Sequence, residues 1–113
     1  MNYRIILDAP FKKEVKRLAK KYPSLKKDLS ALQDELLSNT QAGIDLGGGL
    51  RKVRMAIASK GRGKSHGARV ITFTVVVAIE ESEINLLTIY DKAERESISQ
   101  KEIEALLKEA DLL

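Results

Sequence analysis

Apolar positions along this 113-residue chain follow two rhythms, one near 3.6 and one near 2, and the change between them separates helices from strands. Tyr3–Leu7 reads as a short apolar strand. Phe11, Val15, Leu18 and Tyr22 then recur at i, i+4, i+7 and i+11, the face of a first helix. Pro23 disfavours helical backbone at Tyr22, and Ser24 is placed to cap a second helix with the face Leu25, Leu29, Leu32 and Leu36. The two helices are expected to form an antiparallel hairpin. Asn39 to Gly49 holds four glycines and no sustained period, so a loop is predicted there.

Strand rhythm returns at Leu50–Met55. In extended backbone Leu50, Lys52 and Arg54 share one face and Arg51, Val53 and Met55 the other. Ala68–Ile79 contains the β-branched run VITFTVVVAI and Ile84–Tyr90 reads INLLTIY, a predicted hairpin joined by an acidic turn at Glu80–Glu83. A last helix is signalled by a capping box of Ser99 and Glu102, a staple of Ile98 and Ile103, and the stripe Ile103, Leu106, Leu107 and Ala110. The order is β-α-α-β-β-β-α. It predicts a single α+β domain over residues 1–113, with one antiparallel sheet on which the helical hairpin and the C-terminal helix pack.

Composition narrows the chemistry. With 43% hydrophobic and 32% charged residues the chain has the balance of a soluble globular domain, and no apolar run nears the ~20 residues of a membrane span. The opening MNYRIILDAP lacks the apolar core and cleavage site of a secretory leader, so a bacterial-type cytoplasmic location without membrane association is expected. The absence of Cys rules out disulfides and thiolate chemistry, and one His leaves too few soft ligands for a transition-metal site. No metal or cofactor is expected; catalysis would run on Lys, Arg, Tyr, Glu and Asp with at most one imidazole.

Charge is segregated as well as positive. Residues 1–27 hold nine Lys/Arg against two acids, whereas residues 80–113 hold ten acids against four basic residues. Between them, Leu50 to Phe73 carries seven cations and no acid: Arg51, Lys52, Arg54, Lys60, Arg62, Lys64 and Arg69, with Gly61, Gly63 and Gly67 among the last four. A Gly-rich cationic loop between two strands suits a polyanion, and RNA is the natural one.

Cleaving RNA by attack of a ribose 2′-OH needs a base for that hydroxyl, cations for the developing oxyanion charge and an acid for the leaving oxygen. Arg69 stands where the loop meets a strand, a rigid place from which a guanidinium can hold a phosphate through two hydrogen bonds. Lys52 and Arg54 would project in parallel about 6.5 Å apart, close to a phosphate spacing. Lys60, Arg62 and Lys64 can close over a bound strand. Tyr90, Lys92 and Glu94 bring a phenol, an ammonium and a carboxylate to one sheet edge, an acid and base set in which Glu94 is the ordinary base. Equally, Glu94 can be a salt-bridge partner of Arg69 or Lys92, and Tyr90 can cap the core. His66 reads as a phosphate or solvent contact rather than a base. GRGKS lacks the spacing of a phosphate-binding P-loop, since Ala58 stands where its first glycine would be.

GGLRKVRMA, SKGRGKSHGARVI and LLTIYDKAE together resemble the RelE-like toxins of bacterial type II toxin–antitoxin systems, closest to the HigB-type branch, over Phe11 to Leu107. The resemblance implies a toxin that enters the ribosomal A site and cuts mRNA there without a metal. It also implies a cognate antitoxin that occludes the basic face, with operator DNA bound only through the antitoxin complex. Carried onto this sequence, the family's strand cations fall on Lys52 and Arg54, its phosphate-clamping arginine on Arg69 and its late-strand basic position on Lys92. The chain departs from RelE in having Ala93 in place of an arginine and Ser99 near the position of a base-stacking tyrosine. Two other classes stay open at this point: a gyrase-inhibiting toxin like the ParE relatives, and a non-catalytic nucleic-acid-binding module, for which 4% aromatic residues is thin.

Overall fold

The computed structural model describes residues 1–113. In chain order the elements are β1 (Asn2–Leu7), α1 (Ala9–Lys21), α2 (Leu25–Ser38), β2 (Ile44–Gly47), β3 (Leu50–Met55), β4 (Ala68–Ala78), β5 (Glu81–Asp91) and α3 (Gln100–Glu109). Two short 3-10 turns, Ala58–Lys60 and Lys64–His66, punctuate the β3–β4 connection. The expected α+β class and the helical hairpin are present.

The sheet has the order β1-β5-β4-β3-β2 and differs from expectation in two respects. First, β1 pairs in parallel with β5, Ile5 opposite Ile84, while every other pair is antiparallel. The α1–α2 hairpin is the reason: it carries the chain over one face from the β1 edge to the β2 edge, the crossover that parallel strands require. Second, the Asn39–Gly49 segment contains β2, paired to β3 with Ile44 opposite Lys52. All four β2 residues are exposed, and the alternation of Ile44, Asp45 and Leu46 is too short, running straight into Gly47–Gly49, to mark a strand in the sequence. The β2–β3 turn depends on glycine at Gly49, whose φ is 90° and where a Cβ would lie 2.9 Å from the Thr74 carbonyl oxygen. The acidic turn is also tighter than predicted, because Glu81–Glu83 already belong to β5.

Strand residues build two cores, alternating from face to face except at Leu87, where the β4–β5 register shifts. Val53, Met55, Val70, Leu86 and Ile89 face the hairpin and pack with Phe11, Leu18, Leu25, Leu29, Leu32 and Leu36. Leu50, Ile71, Leu87 and Tyr90 face the opposite way and pack with Ile103 and Leu107 of α3. The start of α3 is fixed by the capping box, with Ser99 Oγ accepting from the Glu102 amide at 3.1 Å and Glu102 Oε1 accepting from the Ser99 amide at 3.3 Å. Ser24 precedes α2 but, contrary to expectation, its side chain makes no cap bond to the helix backbone: its hydroxyl donates to Asp28 at 2.7 Å and accepts the Ser59 amide at 2.9 Å. Helix α2 is thereby tied to the first 3-10 turn of the cationic loop. No helix is long and apolar enough to cross a membrane.

Candidate nucleic-acid interface

Antiparallel register sets Arg54, Arg69 and Tyr90 side by side on β3, β4 and β5. Lys52 lies two residues along β3 on the same face as Arg54. Beyond α3 this face opens into a cleft of about 660 Å³ lined by Lys52, Arg54, Lys64, Arg69 and Lys92, with Glu35 and Glu96 as its carboxylates.

Arg69 is the fixed point of the cleft. Its guanidinium is buried, and it donates to the carbonyls of Lys64 (3.1 Å), Ala68 (3.1 Å) and Ser65 (3.4 Å), with no carboxylate partner. Burial and the neighbouring Arg54 charge hold its pKa below the ordinary arginine value, so an anion brought here would relieve an existing repulsion. Lys64 reaches across to Glu35 of α2, 3.0 and 3.2 Å from its two oxygens.

The loop has its own anchor, which sequence reasoning missed. Asp91, fully buried at the end of β5, accepts from Lys60 Nζ at 2.6 Å, from the Ala93 amide at 2.9 Å and from the Tyr22 hydroxyl. Burial alone would raise the Asp91 carboxyl, but the bonds from Lys60, Tyr22 and Ala93 outweigh it and the net pKa is below the usual carboxylate range. Lys60 also donates to the His66 carbonyl at 2.9 Å, and the Lys92 amide donates to the Gly67 carbonyl at 3.1 Å. Gly67 is needed for backbone approach within the protein rather than to a ligand, because a Cβ there would run into the Met55 carbonyl oxygen.

The ten candidate residues thus separate. Lys52, Arg54, Lys64, Arg69 and Lys92 converge on the cleft. Lys60 turns inward to Asp91. Arg62 and His66 are exposed on a second cleft, of about 530 Å³, which also takes in Tyr22, Lys60, Lys92 and Ala93. Tyr90 lies behind the first cleft, its hydroxyl buried without a hydrogen-bond partner; burial raises its pKa against the lowering effect of Arg69 and Arg95, and the Arg95 guanidinium sits 5.6 Å from its ring centre. Glu94 is bound by Arg17 of α1 at 2.9 and 3.0 Å and by Lys21 at 3.4 Å, and stands apart from both Arg69 and Lys92. The Arg17 bond is the main cause that holds the Glu94 carboxyl below its ordinary value.

Asp91 follows Tyr90 directly in the sequence, but apart from the Ala93 amide its partners are Tyr22, just past α1, and Lys60 of the loop, and no local spacing announces them. Glu35 and Glu96 were also unmarked, one within a polar helix face and the other in an acidic tail.

A family model described as the RelE toxin of the RelE/RelB toxin–antitoxin system matches residues 4–113. With strand order, basic loop and cation cluster in place across that whole span, the chain belongs to the RelE toxin family.

Proposed function

We propose that the protein is the toxin of a toxin–antitoxin pair that cuts mRNA on the ribosome, within the HigB-type branch of its family. The observation that carries this reading is the cluster of Lys52, Arg54, Lys64, Arg69 and Lys92 around one cleft, with the Arg69 guanidinium free of any carboxylate. Such a cluster can hold a phosphodiester and stabilise the pentacoordinate oxyanion formed when the 2′-OH attacks it. Arg69 is rigidly oriented by three carbonyls and takes the scissile phosphate; Lys52 and Arg54 hold the strand along β3; Lys64 and Lys92 close the two sides.

Proton transfer is the weaker part of the machinery. Glu35 is engaged by Lys64, Glu94 by Arg17 and Tyr90 is held in its protonated form, so Glu96 is the cleft carboxylate without an ion pair. A site rich in cations and poor in poised bases benefits from a partner that aligns the 2′-OH for in-line attack, and the ribosomal A site supplies that alignment. The activity is accordingly cytoplasmic.

A cognate antitoxin is the second partner. The groove between α1 and α2 has an apolar floor of Leu7, Phe11, Val15, Ala19 and Leu29 and a rim of Lys12, Lys16 and Lys26, which suits the apolar face of an acidic amphipathic helix. Operator DNA is bound through that antitoxin.

Induction of the chain in cells, followed by primer extension with translation running or blocked at initiation, tests the reading. New 5′ ends inside reading frames, present only during translation, are expected. Intact mRNA with DNA-damage signalling in arrested cells would replace it with a gyrase-directed toxin.

A further inference from the structure

The cationic loop is a partition with charges on both sides. Residues 61–67 run between the two clefts: Lys64 lines the first, whereas Arg62 and His66 line the second, and Lys92 lines both. The partition is not a floppy flap. Lys60 pins its start to buried Asp91 and to the His66 carbonyl, and Gly67 closes its end against Met55 and the Lys92 amide. With Lys60 neutralised by Asp91, the second cleft keeps the Arg62 guanidinium and the Lys92 ammonium, neither bonded to a carboxylate, and no acidic side chain lines it. Its remaining wall is the half-buried Tyr22 ring, with Lys60 Nζ and Lys21 Nζ each 5.3 Å from the ring centre.

We propose that the second cleft is an RNA subsite: a single strand whose phosphate sits on Arg69 crosses the partition at Lys92 and places a flanking phosphate on Arg62 and His66, its base beside Tyr22. This rests on the RNA-cleaving reading of the first cleft and adds a site on the far side of the loop. Continuity through the shared Lys92, together with an aromatic wall beside which a base can lie, favours one extended RNA strand over an acidic protein segment. The site reads length rather than sequence. A short strand can occupy the first cleft alone; a longer one gains the second cleft as well. An aromatic face can stack any base.

Fluorescence anisotropy with labelled 2′-O-methyl RNAs of three and nine nucleotides tests this on the full chain, with melting curves to verify the fold. Arg62→Ser combined with His66→Ser is expected to leave the trinucleotide unaffected. For the nine-nucleotide RNA it should weaken binding several-fold and reduce the slope of log affinity against log salt by about 0.7 for each phosphate that the variant no longer neutralises. Equal weakening of both lengths would mean a diffuse positive field and would overturn the subsite, as would an unchanged nine-nucleotide affinity or failure of the wild type to bind either RNA. Because these RNAs carry no 2′-OH to react, the outcome is independent of cleavage: a wild type that binds in two parts but cuts nothing on ribosomes would sink the nuclease reading and leave the subsite standing.

Discussion

Arg54 and Arg69 occupy directly opposite positions on β3 and β4, two like charges in one cross-strand pair with no carboxylate bonded to either. Like charges so placed work against the sheet. Arg54→Gln should therefore raise the melting temperature by roughly 2–4 °C, the effect of about half a kcal/mol in a domain of this size. Inorganic phosphate should stabilise the wild type more than the variant. Thermal melts with and without phosphate check both; an Arg54→Gln protein that melts lower would show that the pair is not repulsive.

Arg69→Ala removes the phosphate-holding guanidinium and three loop carbonyl bonds together. Cleavage on ribosomes should fall by about 10²–10³-fold, the usual effect of losing one oxyanion-stabilising donor, and growth inhibition with it. Stability should drop by about 1–3 kcal/mol, chiefly for the buried Ala68 carbonyl left unmet, measured by urea unfolding. Undiminished toxicity in a folded variant would remove Arg69 from the site.

Asp91 makes stability depend on acid. Its folded pKa is below its unfolded one, so its stabilisation is fully present above the ordinary carboxylate value and is lost as the pH falls from there through the folded pKa. Asp91→Asn leaves Lys60 Nζ without its counterion and should cost about 3–5 kcal/mol at pH 7. The difference between variant and wild type should shrink as the pH is taken below about 4. Urea unfolding across that range reads it, and a constant difference would mean that charge is not what Asp91 contributes.

Tyr90 carries a buried hydroxyl with nothing to bond. Tyr90→Phe should then be neutral or stabilise the fold by up to about 1 kcal/mol, with ribosomal cleavage within about twofold of wild type. A loss of kcat in a variant of equal stability would instead make the phenol a proton donor.

Glu94 answers to helix α1 rather than to the cleft. Glu94→Gln should leave cleavage unchanged and lower stability by less than about 1 kcal/mol, as expected for a partly exposed pair. Loss of cleavage in this variant would restore Glu94 as the base.

The two periodicities made most of the fold legible. Leu25, Leu29, Leu32 and Leu36 declare the face of α2, and Ser99 with Glu102 declares the start of α3, because those signals lie within one or two turns of chain. β2 could not be seen, since the alternation of Ile44, Asp45 and Leu46 covers only three residues before the run Gly47–Gly49. The parallel pairing of β1 is a property of the crossover, not of β1. In the site, strand geometry put Lys52 and Arg54 on one face from sequence alone, with Arg69 added to them by the family resemblance. It could not place Glu94, Lys60 or Asp91, whose partners are 77, 31 and 69 residues away and decide whether each group is free to act.

The strap from Lys92 to Ile98 is short and occupied at both ends. Arg95 touches the Tyr90 ring on one side and, at 2.8 Å, the carboxylate of Glu102 that closes the capping box on the other. Adding or deleting even one residue here would shift Glu96 and Ser97 out of the wall of the cleft. At the far end of the molecule, by contrast, the β4–β5 hairpin extends past β3, with Val76 and Ile79 in solvent, and nothing is anchored to its tip beyond the Asn2 amide. Relatives of this chain should accordingly vary freely in length between Val76 and Glu81 while keeping the spacing from Tyr90 to Ser99 constant.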